Sequence, residues 1–247
     1  MSRMFDKYID EWKSIVNSSS SRRGNGCIKL RTYTIYSKGN YLKPVIPGRL
    51  GASLHIFSEK GATIHSNIIN KVIPSIQAAT SPIVLLWFDT CEISKKDGRY
   101  SDIIKYPYQS IEQTLTEYRA VKDRILQNNP SATVIAIECS YFSLYRWNQS
   151  RGFNYNTQTT QLYKDIDLKL KSAINYYNQQ LSYFNRNILA PHIAQDQIIS
   201  SKQRKRSRTQ NKISFKSLFD GIHPRRPISR LWIHRMVKLA RNLRNPQ

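Results

Sequence analysis

The sequence predicts an α/β domain in which helices cover both faces of a central parallel sheet. Two observations lead to this prediction. Strand-like and helix-like segments alternate from residue 27 onward, and one strand-like segment, residues 83–88, is apolar at every position. Such alternation is typical of open parallel sheets, and a fully apolar strand indicates burial on both faces. The chain has 247 residues, a length that suits one domain of this class.

The chain before residue 27 is predicted to contain a helix and a linker. Residues 4–16 carry apolar side chains at helical spacing, so an amphipathic helix is expected there. The Ser-rich run at 17–26 is predicted to be a flexible linker. Because so short a helix is marginal alone in water, we expect it to dock on the body or to mediate self-association. The predicted organisation is therefore 1–26 for helix and linker, and 27–247 for the α/β domain.

The predicted elements of the body follow from local patterns. Four segments rich in β-branched and apolar residues are predicted strands: 27–36, 54–57, 83–88 and 133–139. Four segments with apolar residues three and four positions apart are predicted helices: 63–76, 110–127, 159–187 and 228–243. Ser110 is the predicted N-cap of the second helix. Pro224 and Pro227 favour the start of the last helix.

The chain is strongly basic, and its charge is concentrated near the C-terminus. The net charge is +23, and residues 201–247 hold 14 Lys and Arg against a single acid, Asp220. This surplus favours nucleic acid or another polyanion as the partner of residues 201–247. The densest part, 201–212, is predicted to form an exposed loop, because like charges repel and bury little surface. The side chains predicted to contact phosphates are Lys202, Arg204, Lys205, Arg206, Arg208 and Lys212.

The same basic run is also typical of a solvated loop or a nuclear-import signal. The sequence lacks zinc-finger spacing, an RNP motif and heptads, so any nucleic-acid binding is expected to tolerate many sequences. No apolar run has the length of a membrane span. The N-terminus lacks the apolar core of a signal peptide, so we expect an intracellular location, cytoplasm or nucleus.

Neither a metal nor any other cofactor is predicted. The three cysteines are too few and too scattered for a disulfide framework or a zinc knuckle. Three of the histidines, His55, His65 and His192, show no metal-ligand spacing.

Four polar segments follow predicted strands or precede the last helix, where open parallel sheets gather their functional groups. They are residues 35–43, 58–64, 87–93 and 219–224. In this order they resemble the sequence blocks of the SGNH (GDSL-type) hydrolases, particularly divergent members encoded by transposable elements and some viruses. The resemblance covers about residues 28–243. It implies a flavodoxin-like three-layer fold and a Ser-His-Asp triad that hydrolyses esters.

The resemblance implies a role for each member of the triad. The motif Asp-x-x-His-Pro is the most specific block: Asp220 would orient His223, and His223 would take a proton from a serine. That serine would be Ser37, at the end of the first strand. An alignment on the neighbouring Gly39 instead places Tyr41 at the nucleophile's position, and the sequence leaves both alignments open.

The resemblance also implies an oxyanion hole. Gly61 matches the glycine whose backbone N–H stabilises the negative charge on the substrate oxygen. Cys91 occupies the position of the family's asparagine, and a thiol is a weaker donor than an amide. Loss of one such donor commonly lowers turnover about 100-fold to 1,000-fold, so the resemblance implies a slow enzyme.

Each of these residues also has a structural explanation. An Asp near a helix start can cap backbone N–H groups, and a nearby His can be a satisfied polar residue. Ser37 can be a turn residue, Gly61 can serve a positive φ, and Cys91 can fill space in the core. The sequence therefore leaves two functions open: a slow or degenerate serine esterase with a polyanion-binding surface, or a catalytically silent nucleic-acid-binding or assembly protein.

Overall fold

The computed structural model describes residues 31–36, 53–58, 63–65, 67–88, 90–186, 188–202 and 209–244. The described strands are β1 Arg31–Tyr36, β2 Ser53–Ser58, β3 Ile83–Trp87, β4 Ser94–Asp97, β5 Tyr100–Ile103, β6 Thr133–Ala136, β7 Ile198–Lys202 and β8 Thr209–Ile213. The described α-helices are α1 Ile68–Gln77, α2 Thr90–Ile93, α3 Pro107–Asn128, α4 Leu144–Ser150, α5 Thr157–Asn185 and α6 Arg226–Arg244. The predicted helix at 4–16 lies outside the described residues.

The predicted parallel sheet is confirmed. Four strands pair in the order β2-β1-β3-β6, and all three pairings are parallel. In the register, Thr34 of β1 lies opposite Ile56 of β2 on one side and Leu85 of β3 on the other. The carboxyl ends of β1, β2 and β3 therefore lie side by side at the same end of the sheet, as the sequence pattern predicts.

Helices cover both faces of this sheet, which gives three layers. Every residue of β3 is buried, as expected for a strand without a solvent face. Successive side chains along a strand point to opposite faces of the sheet. Trp87 and Phe88, at the end of this buried segment, therefore contact helices on opposite faces. The Phe88 ring contacts Tyr118 of α3, with ring centroids 6.3 Å apart. The Trp87 ring meets Trp232 of α6 edge-on, with centroids 5.6 Å apart.

Amide side chains of α5 bind the backbone of β6, the last strand in the order of the sheet, and of the residues that follow it. The Asn185 side chain accepts from the N–H of Ala136 and donates to its carbonyl, both at 2.8 Å. Asn178 makes the same pair of bonds with Cys139, at 2.7 and 2.9 Å. These bonds satisfy backbone N–H and C=O groups that could otherwise pair with a further strand. They also fix α5 against the carboxyl end of the sheet.

Two predicted helix starts are wrong. Ser110 does not cap a helix, because α3 already begins at Pro107 after Tyr106. A proline suits the first helical position, where its missing N–H is not needed. The Ser110 hydroxyl instead donates to the carbonyl of Glu92 at 2.8 Å. The first predicted helix begins at Ile68 rather than 63, and it continues past Pro74 to Gln77.

The predicted loop at 201–212 is wrong at both ends. Ser201 lies opposite Gln210, and Lys202 lies opposite Thr209, in the antiparallel ribbon of β7 and β8. Ladder hydrogen bonds of the ribbon, together with packing of Ile198 and Ile213 against the core, order these polar residues in spite of the charge. Residues 203–208 lie outside the described residues. Among the helices that the structure describes, all are too short or too polar to cross a bilayer.

Candidate catalytic site

The structure brings Asp220 and His223 together. The Asp220 Oδ2 atom lies 2.7 Å from His223 Nδ1. The other carboxylate oxygen, Oδ1, accepts from the backbone N–H groups of Ile222 at 3.1 Å and His223 at 2.8 Å. Asp220 is buried, whereas 18% of the His223 side chain is exposed. A buried carboxylate thus holds a histidine ring that opens to solvent, which is how a base is oriented by an acid.

The turn that carries this pair depends on Gly221. Its φ is +94°, in the region that L side chains rarely adopt. A Cβ on Gly221 would lie 2.7 Å from the Arg146 Cβ, 2.8 Å from the Ser143 carbonyl oxygen and 2.9 Å from the Trp147 nitrogen. The Gly221 carbonyl also accepts from the N–H of Ser143 at 2.9 Å. Only a glycine lets the turn approach α4 this closely.

Helix α4 forms one wall of the site. The Trp147 ring meets the His223 ring edge-on, with centroids 5.5 Å apart. Arg151, which follows α4, holds its guanidinium carbon 4.2 Å from the centroid of Trp147. Its Nη2 atom lies 3.9 Å from Asp220 Oδ2. The imidazole is therefore fixed by a carboxylate on one nitrogen and by an indole at its side.

Asp167 of α5 positions α4. Its Oδ1 atom accepts from the backbone N–H of Leu144 at 2.8 Å, and its Oδ2 atom accepts from the Ser143 hydroxyl at 2.5 Å. Ser143 in turn caps α4 by accepting from the N–H of Arg146 at 3.1 Å. Burial raises the pKa of Asp167, although these hydrogen bonds favour its ionised form. The segment between β6 and α4 leaves the carboxyl end of the sheet, where functional groups gather.

The pKa of Asp220 is lowered. Burial alone would raise it, but the hydrogen bonds from the His223 ring and from two backbone N–H groups outweigh that effect. Asp220 is therefore ionised at neutral pH and accepts the Nδ1 proton of His223. That hydrogen bond selects the tautomer in which Nε2 is the basic nitrogen.

A buried carboxylate joins the second and third polar segments. Glu92 Oε1 accepts from the backbone N–H of Ile64 at 2.7 Å, and Oε2 accepts from the Thr114 hydroxyl at 3.3 Å. Ile64 belongs to the segment after β2, and Glu92 belongs to α2 after β3. These two segments, predicted to supply the oxyanion donors, are thus held side by side.

The structure describes only part of the predicted site. Cys91 lies half-buried in α2, directly after β3. Ser37, Tyr41 and Gly61 lie outside the described residues, so their placement stays a prediction. Of the predicted phosphate-binding residues, Lys212 is exposed on β8 and Lys202 ends β7. The others, Arg204, Lys205, Arg206 and Arg208, lie outside the described residues.

The sequence does not identify Trp147, Arg151 or Asp167 as site residues. The nearest signal is the aromatic run at 141–147, but a run does not say which ring meets a histidine. Asp167 has no signal at all, because it is one acid among the polar residues of a long helix. Within the described part of the chain, no group of three His, Cys, Asp or Glu side chains could hold a metal ion.

Comparisons with known proteins find only distant structural similarity. No protein-family model and no curated protein matches the chain. Three similar solved structures are a candidate platelet activating factor from Streptococcus pneumonia, a candidate lipase from Chitinophaga pinensis and phospholipase A1 from Streptomyces albidoflavus. Their identities are 10%, 13% and 11%, with TM-scores of 0.42, 0.41 and 0.43. The matches cover 96%, 87% and 87% of this chain, and 100%, 98% and 99% of the others. At such values the site has to be interpreted from its own geometry.

Proposed function

We propose that the protein is a slow serine ester hydrolase in which His223 is the general base, Asp220 orients it and Ser37 is the nucleophile. The observation that carries the proposal is the 2.7 Å contact between Asp220 Oδ2 and His223 Nδ1. A structural cap alone does not account for it. The two backbone N–H groups use Oδ1, and Asp220 directs its second oxygen to the imidazole.

The reaction follows from the tautomer of His223. The Ser37 hydroxyl would attack the ester carbonyl while His223 Nε2 takes its proton, and Asp220 would stabilise the imidazolium that forms. His223 would then protonate the leaving alcohol. A water molecule, activated by the same nitrogen, would release the acyl group from Ser37. Gly61 and the region of Cys91 would stabilise the oxyanion, and the thiol is the reason for expecting a slow rate.

The sequence resemblance also leads us to infer that the gene belongs to a transposable element or a virus. The genomic sequence on either side of the gene would support that inference through element termini or viral neighbours, and ordinary chromosomal neighbours would oppose it.

The hydrolase proposal predicts that the wild-type protein turns over p-nitrophenyl acetate above the rate of a Ser37→Ala variant. The substitution removes the only atom that can be acylated in this scheme and changes little volume. Equal rates for the two proteins, at equal melting temperature, would end the claim.

We also propose that residues 201–247 bind a polyanion. Arg226, Arg230 and Lys238 are exposed on α6, and Lys212 is exposed on β8. No acidic residue follows Asp220 in the sequence. The ribbon of β7 and β8 supports this proposal, because it pairs Lys202 with Thr209, the described residues on either side of the basic run.

This second proposal predicts a change in salt dependence. In a variant with Gln at positions 204, 205, 206 and 208, the log–log slope of nucleic-acid affinity against salt should flatten by up to about one unit for each lost phosphate contact. The measurement is a titration of single-stranded DNA at several salt concentrations. An unchanged slope would show that these four residues contact no phosphate.

A further inference from the structure

We propose that Arg151 forms an anion-binding subsite beside His223, so that the ester this site hydrolyses carries an oxyanion group, a carboxylate or a phosphate. This inference rests on the proposed hydrolase and specifies its substrate class.

The Arg151 guanidinium stacks on the wall of the site and forms no hydrogen bond with the residues that the structure describes. Its contact with Asp220, 3.9 Å from Nη2 to Oδ2, is too long for one. Throughout the described ranges, the guanidinium makes no hydrogen bond to any residue, and 45% of the side chain is exposed. A guanidinium has five N–H donors arranged to bind carboxylate or phosphate through two parallel bonds. These donors remain for solvent or for a ligand.

Trp147 holds this cation in place. The guanidinium carbon lies 4.2 Å from the centroid of the indole, within the range of a cation–π interaction. Trp147 itself is buried, with 7% of its surface exposed. A long side chain that is already stacked loses less conformational freedom when a ligand binds. Since the same indole contacts His223, the subsite and the base share one wall.

The charge of Arg151 has a consequence for the reaction. His223 becomes a cation when it takes the proton of the nucleophile, and a neighbouring like charge disfavours that state. The guanidinium is a neighbour of this kind, because Asp220 Oδ2 contacts both it and the imidazole. A substrate oxyanion bound to Arg151 would offset the repulsion. A neutral ester would not, so the arrangement favours anionic substrates in binding and in the transition state.

The surroundings agree with this selectivity. Arg225 and Arg226 are exposed just after His223. The Arg225 Nε donates to the Leu218 carbonyl at 3.0 Å, which holds this side chain near the turn. Of the described carboxylates, Asp220 is the one in contact with Arg151, and it is occupied by His223. The surface next to the base therefore carries a surplus of positive charge, which attracts anions.

The test uses two matched esters: mono-4-nitrophenyl adipate, which carries a carboxylate, and its methyl ester, which is neutral. The wild-type protein should have the higher kcat/KM for the anionic ester. Arg151→Met should lower the ratio of the two kcat/KM values about 10-fold or more, as expected for loss of a charge-assisted hydrogen bond. Arg151→Lys, which keeps the charge but lacks the paired N–H donors of the guanidinium, should retain part of the preference for the anionic ester. Arg119→Met, at an exposed position on α3, is the control and should leave the ratio unchanged.

The ratio separates selectivity from a merely structural role, because a loss of support for Asp220 would lower both rates equally. An unchanged ratio in Arg151→Met, or a wild-type preference for the neutral ester, would overturn the subsite and leave the hydrolase standing.

If the wild-type protein hydrolyses neither ester, the proposed function fails, and binding of inorganic phosphate decides the subsite. Phosphate should shift the indole N–H resonance of Trp147 in the wild type and in Arg119→Met, but not in Arg151→Met. The absence of a shift in the wild type would overturn the subsite as well. Melting curves of each variant show that it is folded, and Arg151→Gln, which also removes the charge, serves in place of Arg151→Met if the latter is not.

Discussion

Replacing His223 with Ala, or Asp220 with Asn, is expected to lower kcat/KM for p-nitrophenyl acetate by about 10⁴-fold. His223→Ala removes the proposed base, and Asp220→Asn removes the acceptor that would fix its Nε2 as the basic nitrogen. Because the two residues act on one proton transfer, the double variant should lose no more than about the larger single loss. The measurement is steady-state hydrolysis with enzyme concentrations high enough to detect the residual rate.

The chain offers a matched control for this experiment. His192 Nδ1 lies 2.8 Å from Glu138 Oε1, a distance close to the 2.7 Å between His223 Nδ1 and Asp220 Oδ2. His192 is exposed, with 61% of its side chain accessible, and nothing suggests that it faces a substrate. His192→Ala should therefore leave kcat/KM unchanged. If His192→Ala lost activity and His223→Ala retained it, the base would be His192 and not His223.

Gly221→Ala is expected to destabilise the protein by about 3 kcal/mol, the sum of backbone strain at positive φ and steric overlap. The added Cβ would lie under 3.0 Å from three atoms of α4 and the residue before it, two of them backbone. The turn and α4 would then have to separate, and His223 would lose its contact with Trp147. Activity should fall together with stability. Chemical denaturation measures the first effect, and ester hydrolysis under native conditions measures the second.

Gly98→Ala separates the effect of backbone strain from the effect of steric overlap. Gly98 also has a positive φ, +58°, but an added Cβ would meet no atom within 4 Å. This variant should lose only the strain energy, about 1–2 kcal/mol, and its activity should be unchanged. Equal losses of stability in the two variants would show that the close approach of Gly221 to α4 is unimportant.

The sequence predicts the sheet well because its strongest signals are local. Residues 83–88 are apolar throughout, and such a run has few alternatives to a central strand. The ribbon of β7 and β8 has no such signal. Its residues Ser201, Lys202 and Gln210 are polar and charged, and they are ordered by ladder bonds that only the paired chain reveals. The edge bonds of Asn178 and Asn185 are hidden for the same reason, since an Asn within a helix does not indicate its distant partner.

The candidate site divides in the same way. Asp220 and His223 are three residues apart in a recognisable motif, so their pairing is predictable from the sequence. Trp147 and Arg151 come from a different part of the chain. Trp147 reaches His223, and Arg151 reaches Asp220, only because Asp167 and Gly221 bring α4 to the turn. Contacts of this kind depend on tertiary packing. They carry the substrate preference proposed for this site, which the motif alone does not contain.

The central claim is that Ser37 is a nucleophile activated by His223. Its most direct test is reaction of the folded protein with a fluorophosphonate, followed by mass spectrometry of the intact chain and its peptides. We expect one adduct per chain, on Ser37, forming at least about 100-fold more slowly in His223→Ala because the serine then lacks its base. Absence of an adduct on the wild-type protein, an adduct on Tyr41 instead, or an equal rate in His223→Ala would contradict the account.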